Sequence, residues 1–159
     1  MTLRFKKNLR SRGGNAMIEF ALSAAVLIPL FLGTFQFGYA FYVYNLLCTQ
    51  TRSAARYASM KTFKCQGSAI SDYKQSVRNI VRFGNADGSG SLIEPQLADT
   101  ELDIQIKDAT GADASATRAP SYVVVTTVNY SLDAVVARFN FNGKPLARFP
   151  YVGRWAPAE

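Results

Sequence analysis

The sequence predicts an α+β chain: one long N-terminal transmembrane helix that extends outside the membrane, then a small domain built from an amphipathic helix and an antiparallel sheet. Three observations carry this. From Phe20 to Thr51 there is no Asp, Glu, Lys or Arg, and about 20 residues of apolar helix at about 1.5 Å each match a bilayer core of about 30 Å. Between Ser68 and Gly84, residues Ile70, Tyr73, Val77, Ile80 and Val81 recur at helical spacing. Further on, "TELDIQIKD" alternates Leu102, Ile104 and Ile106 with polar residues, and "SYVVVTTVNYSL" is dense in β-branched side chains.

The first element begins behind a basic tail. Arg4, Lys6, Lys7, Arg10 and Arg12 carry five charges of the formal +7, and the rest of the chain is left with +2. So concentrated a cluster reads as a positive-inside signal, with a cytoplasmic N-terminus and the remainder outside. It does not read as a nucleic-acid footprint, because no basic stripe with interleaved aromatics follows. A secretory signal peptide also has a basic start and an apolar core. This run, however, exceeds the usual length of about 7 to 15 residues, and it exits through Tyr39, Phe41, Tyr42 and Tyr44 instead of a small-x-small site. Such aromatics form an interfacial belt.

One acid, Glu19, stands at the lip of this span. Inside hydrocarbon a carboxylate costs about 2.5 to 3.5 kcal/mol unless paired. At headgroup level it would instead favour the helix N-terminus by about 0.3 to 1 kcal/mol. Either reading fits the position alone. Pro29 removes a helical hydrogen bond and predicts a bend, which membrane helices tolerate. Gly33 and Gly38 are five apart, not the four of GxxxG, so they serve either close helix packing or nothing specific. Gln36 is polar within the span, as interhelical contact or as a residue near the outer interface.

Beyond the belt there is no Pro or Gly from Tyr39 to Cys65, so the helix is expected to continue, with Arg52 and Arg56 on one face as headgroup-facing cations or as a binding surface. The predicted organisation is a basic leader at 1–14, a long helix at 15–64 spanning lipid at about 18–44, and an outer domain at 65–159. Within the outer domain Ser68 is the expected N-cap and Gly84 the stop of the amphipathic helix. "GNADGSGS" and "ATGADASATRAP" read as flexible loops, and the two strands are expected to pair antiparallel. In "RFNFNGKPLARFPYVGRW", Asn142-Gly143 signals a turn while Pro145 and Pro150 limit regular pairing.

Catalysis is not expected. The chain has no His, which removes the commonest general base and metal ligand. Its acids are scattered, no glycine-rich phosphate loop follows a strand, and no base accompanies the Ser and Thr residues. No catalytic residue, metal or cofactor is assigned. On the outer, oxidising side, Cys48 and Cys65 are candidate disulfide partners. In an unbroken helix, however, their 17-residue separation is about 25 Å, against the roughly 4.4 to 6.8 Å between Cα atoms of a bridge. Two free thiols are favoured, with Cys65 linked to another chain as the alternative.

The order Gly14, Asn15, Ala16, Met17, Ile18, Glu19, Phe20 directly after the basic tail resembles the prepilin processing site. The resemblance implies cleavage after Gly14 by a membrane-embedded prepilin peptidase, leaving Glu19 as the fifth residue of the mature chain. Glycine leaves an extended backbone unobstructed in a protease cleft. The new amine at Asn15 can neutralise a carboxylate four residues on, in the same chain or, as the family implies, in a neighbouring subunit. Residues 10 to 60 are similar to TadE-like pseudopilins of tight-adherence (Flp) pilus systems, through Glu19-Phe20-Ala21-Leu22, Pro29, Gly33, Gly38, and Ala54-Ala55-Arg56 with Tyr57-Ala58. The family's common Glu-Gly-Ala-Arg does not follow, and the large outer domain of TadG-type relatives is not seen, which favours TadE or TadF.

The resemblance implies a pilin-like domain and a structural role, with Gly14 and Asn15 as the processing site, Glu19 and Phe20 in subunit assembly, and Pro29, Gly33 and Gly38 in helix packing. Implied partners are the prepilin peptidase, the major pilin and other minor pilins, the inner-membrane pilus assembly platform and membrane lipid, but no nucleic acid. The expected location is the inner membrane, single-pass, with incorporation into a pilus for surface attachment. The competing expectations are an unprocessed single-pass protein with a partner-binding outer domain, and a secreted ligand-binding domain.

Overall fold

The computed structural model describes residues 13–65, 67–97, 101–133 and 138–156. The first helix, α1, is Gly13–Met60 and runs through Pro29 without interruption. The chain divides into two compact units, Met1–Phe37 and Gly38–Glu159. In the first, the described residues are α1 alone. Its large apolar side chains are exposed on all sides, including Met17, Ile18, Phe20, Leu22, Phe31 and Phe35. This is the one helix, among the described residues, long and apolar enough to cross a membrane.

In the second unit, α1 is followed by β1 (Phe63–Lys64), α2 (Gly67–Phe83), a 3-10 turn at Pro95–Leu97, and β2 (Glu101–Lys107). Then come β3 (Tyr122–Val128), β4 (Tyr130–Asp133), β5 (Arg138–Phe141), β6 (Leu146–Pro150) and β7 (Trp155–Ala156). The main sheet is antiparallel in the order β2-β3-β6, and β4 pairs β5 in a separate hairpin. The expected pairing of the two clearest strands holds over seven residue pairs, from Glu101↔Val128 to Lys107↔Tyr122.

The α2 periodicity buries Tyr73, Val77, Ile80 and Val81, and they meet Leu102, Ile104, Ile106, Val123, Val125 and Ala147 of the sheet. Gly84 ends the helix as expected: at φ 77° it donates its N–H to Ile80 O at 2.9 Å, a left-handed stop that only glycine adopts freely. Ser68 is not the cap, because α2 already starts at Gly67. The stretch after β2, expected to be loose, is organised by Asp108. Its Oδ1 accepts from Thr110 N at 2.8 Å, Thr110 Oγ1 at 2.7 Å and Ala112 N at 2.9 Å.

The run "SYVVVTTVNYSL" is two strands, not one. Asn129 has φ 56°, a left-handed conformation that Asn tolerates better than other side chains, and the kink hands the chain from the main sheet to the hairpin. Asn142-Gly143 turns as expected, with Gly143 at φ 72° donating to Thr127 O at 3.1 Å. The prolines do not prevent pairing by β6, since it is an edge strand and Pro150 sits at its end opposite Tyr122.

α1 stops at Met60, short of the expected residue 64. Lys61 N makes the last helical bond to Tyr57 O at 3.0 Å, and Phe63 N turns instead to Arg154 O at 3.0 Å. Ser59 O, freed at the helix end, accepts from Val152 N at 2.9 Å and Gly153 N at 2.8 Å. The C-terminal segment therefore caps α1, and its β7 pairs parallel with β1. Gly153 is required there, because a Cβ would lie 2.7 Å from Lys61 O and 2.9 Å from Met60 O.

The folded unit also begins far earlier than residue 65. Ala40, Val43 and Leu47 of α1 are buried with Leu97, Tyr130 and Leu132, with Phe139 and Phe141 against them. Higher up, Ala54, Ala55 and Ala58 pack into the main core. One stripe of α1 at helical spacing is thus a structural member of the outer domain, and the face at residues 40 to 44, expected to lie in lipid, is covered by protein at Ala40 and Val43.

Candidate functional site

The candidate processing and assembly residues fall within the first two turns of α1. Gly14 and Asn15 stand next to the helix start at Gly13, and Glu19 with Phe20 follows one turn later. In the first turn of any helix the N–H groups have no intrahelical acceptor, so the bond between Gly14 and Asn15 lies where the helix opens at least cost. Glycine weakens it further, by about 1 kcal/mol relative to alanine. A Cβ on Gly14 would meet nothing within 4 Å. Its role is therefore not intramolecular packing.

Glu19 is exposed and, among the described residues, forms no ion pair within the chain. Asn15 and Glu19 are i and i+4, one above the other on the same face. Phe20 is 73% exposed. The packing candidates are equally unoccupied: Gly33 and Gly38 each have open space where a side chain would be. The apolar surface, the acid and the glycines are therefore available to something outside the chain.

The second unit holds what the sequence did not disclose. Tyr39 donates from its hydroxyl to Glu94 Oε1 at 3.3 Å, and Glu94 is buried. Nearby, Tyr130 is buried with its hydroxyl unpartnered; burial first, and then the negative charge of Glu94, pushes its pKa up to about 12. Phe141 stacks on Tyr130 at 6.0 Å and tilts against Tyr44 at 5.3 Å. Tyr73 donates to Ala58 O, and burial raises its pKa well above the ordinary tyrosine value. No signal in the sequence marks Glu94; the stripe at 40, 43 and 47 was readable only as generic helix.

Cys48 and Cys65 are free thiols, both half-buried. Cys48 lies on α1 beside a cleft that includes Tyr44, and Cys65 packs on the main core. Arg52 and Arg56 are exposed on α1. No group of His, Cys, Asp or Glu able to hold a metal occurs among the described residues.

Against known proteins, the family described as TadE-like protein matches residues 14–56, and no curated protein and no solved structure matches the chain. The matched segment opens at the candidate processing glycine and closes at Arg56. Over that segment the chain is similar to that family, and the same segment holds the helix long and apolar enough to cross a membrane.

Proposed function

We propose that this chain is a minor pilin or pseudopilin of a tight-adherence (Flp) pilus, cut after Gly14 by a prepilin peptidase and used in assembly or initiation of the pilus for surface attachment. The observation that carries the reading is Gly14 five residues before Glu19, at the opening of an apolar helix whose side chains are exposed on every face. The basic leader 1–14 keeps the N-terminus cytoplasmic. Once the leader is removed, the Asn15 ammonium and the Glu19 carboxylate form a pair in low dielectric, in one chain or between neighbours. That pairing relieves the cost of an unpaired acid, about 2.5 to 3.5 kcal/mol. Exposed Phe, Leu and Ile then pack against the helices of the major pilin and other minor pilins within the inner-membrane platform.

Mass spectrometry of the N-terminus tests this directly. In cells with active prepilin peptidase the mature chain starts at Asn15, and Gly14→Val leaves the leader attached; an intact wild-type leader in such cells would defeat the proposal. Because Gly14 has no packing role inside the chain, that substitution leaves the outer domain folded.

A further inference from the structure

A cleft of about 320 Å³ lies between α1 and the start of β6. Arg52 of α1 and Lys144 of the β5–β6 turn line it together with Tyr44, Cys48, Thr51 and Leu146. No Asp or Glu lines it, and neither cation is in an ion pair among the described residues. Thr51 is fully buried and its Oγ1 has no hydrogen-bond partner. Two unopposed cations lining one cleft favour an oxyanion as its occupant.

The geometry points to a phosphate group as the occupant, specifically the headgroup phosphate of an anionic glycerophospholipid. The inference rests on the membrane-spanning reading of α1. Phe41 and Tyr42 are exposed, 66% and 62%, as interfacial aromatics are, and Tyr44, which lines the cleft, follows two residues later. Side chains of an α-helix lean toward its N-terminus, so Arg52 reaches down toward Tyr44 and the bilayer. Lys144 meets the same volume from the opposite wall. A choline headgroup, with its own cation, is disfavoured by two positive side chains.

The test uses the full chain reconstituted in phosphatidylcholine vesicles with or without phosphatidylglycerol, with lipid retained after extraction counted by native mass spectrometry. The wild type retains phosphatidylglycerol over phosphatidylcholine. R52Q/K144Q loses that preference at least tenfold, on the scale of about fivefold per cation, while K64Q, a remote exposed cation, keeps it. Equal retention by R52Q/K144Q overturns the assignment, as does displacement of the lipid by millimolar inorganic phosphate, which would make free phosphate the ligand. A wild-type chain extracted by carbonate would remove the membrane reading and this inference together; a carbonate-resistant chain indifferent to phosphatidylglycerol overturns this inference alone.

Discussion

The two halves of α1 share one continuous helical backbone, yet they are in opposite circumstances. Before Phe37 the bulky apolar residues are exposed, and Phe20, Leu22, Val26, Phe31 and Phe35 are each more than two-thirds so. After Gly38 one stripe, Ala40, Val43, Leu47, Thr51, Ala54, Ala55 and Ala58, is wholly or almost wholly buried. Apolar character therefore does not by itself say what a helix packs against. The second half uses small or medium residues on one face, which lets a hairpin and a sheet approach; the first uses large ones all round, which suits lipid and neighbouring helices.

This contrast can be broken by truncating one residue in each half. Leu47→Ala is expected to destabilise the outer domain by about 2 to 5 kcal/mol, since it opens a cavity between Tyr130, Leu132 and α1. Leu22→Ala leaves that unfolding transition unchanged. Chemical unfolding in detergent measures both, and equal effects would erase the distinction. Next in size is Glu19→Gln, expected to lower recovery of the chain in pilus or assembly-complex fractions about tenfold or more, as loss of a charged hydrogen-bonded pair does. The outer domain's stability stays as it was.

Gly153→Ala sharpens the comparison at the other end of α1. Its methyl group would press on the backbone carbonyls of Met60 and Lys61, and the expected loss is about 1 to 3 kcal/mol by thermal unfolding. The smallest effect belongs to Tyr130→Phe. Its hydroxyl has no partner, so at neutral pH the change is expected to be within about 0.5 kcal/mol or slightly stabilising. At high pH the two proteins diverge. The folded pKa of Tyr130 is raised from 10.0 to about 12, so the unfolded chain releases this proton first. The stability it contributes is complete below pH 10 and is lost as pH rises toward 12. Tyr73 acts in the same direction. Urea midpoints at pH 8 and pH 11 should therefore fall less in Tyr130→Phe than in the wild type.

Much of the architecture was legible because it follows from short-range periodicity. The uncharged run after Glu19 states an apolar helix, the spacing from Ile70 to Val81 states an amphipathic one with Gly84 as its stop, and the Leu102, Ile104, Ile106 alternation states a half-buried strand. Of the site, the ordering of Gly14, Asn15, Glu19 and Phe20 was visible because it lies within two helical turns. Asn129 was hidden because a single Asn is a weak break signal inside a run otherwise dense in β-branched and aromatic residues. Ala54, Ala55 and Ala58 were hidden because alanine suits any helix face, and nothing local tells a buried alanine from an exposed one.

By itself the sequence determined the long apolar helix, the amphipathic helix and the two main strands, where a charge meets an apolar run, and that no histidine-based chemistry is available. Those properties depend on residues within a few positions of one another. Only the tertiary structure decided that α1 belongs to the outer domain from Ala40 onward, that it ends at Met60 under the Val152–Gly153 amides, and that Arg52, Thr51 and Lys144 share a cleft. Each of those rests on hydrogen bonding or packing between segments some 50 to 90 residues apart, where the free energy of burial and of pairing the helix-end carbonyls outweighs local preference.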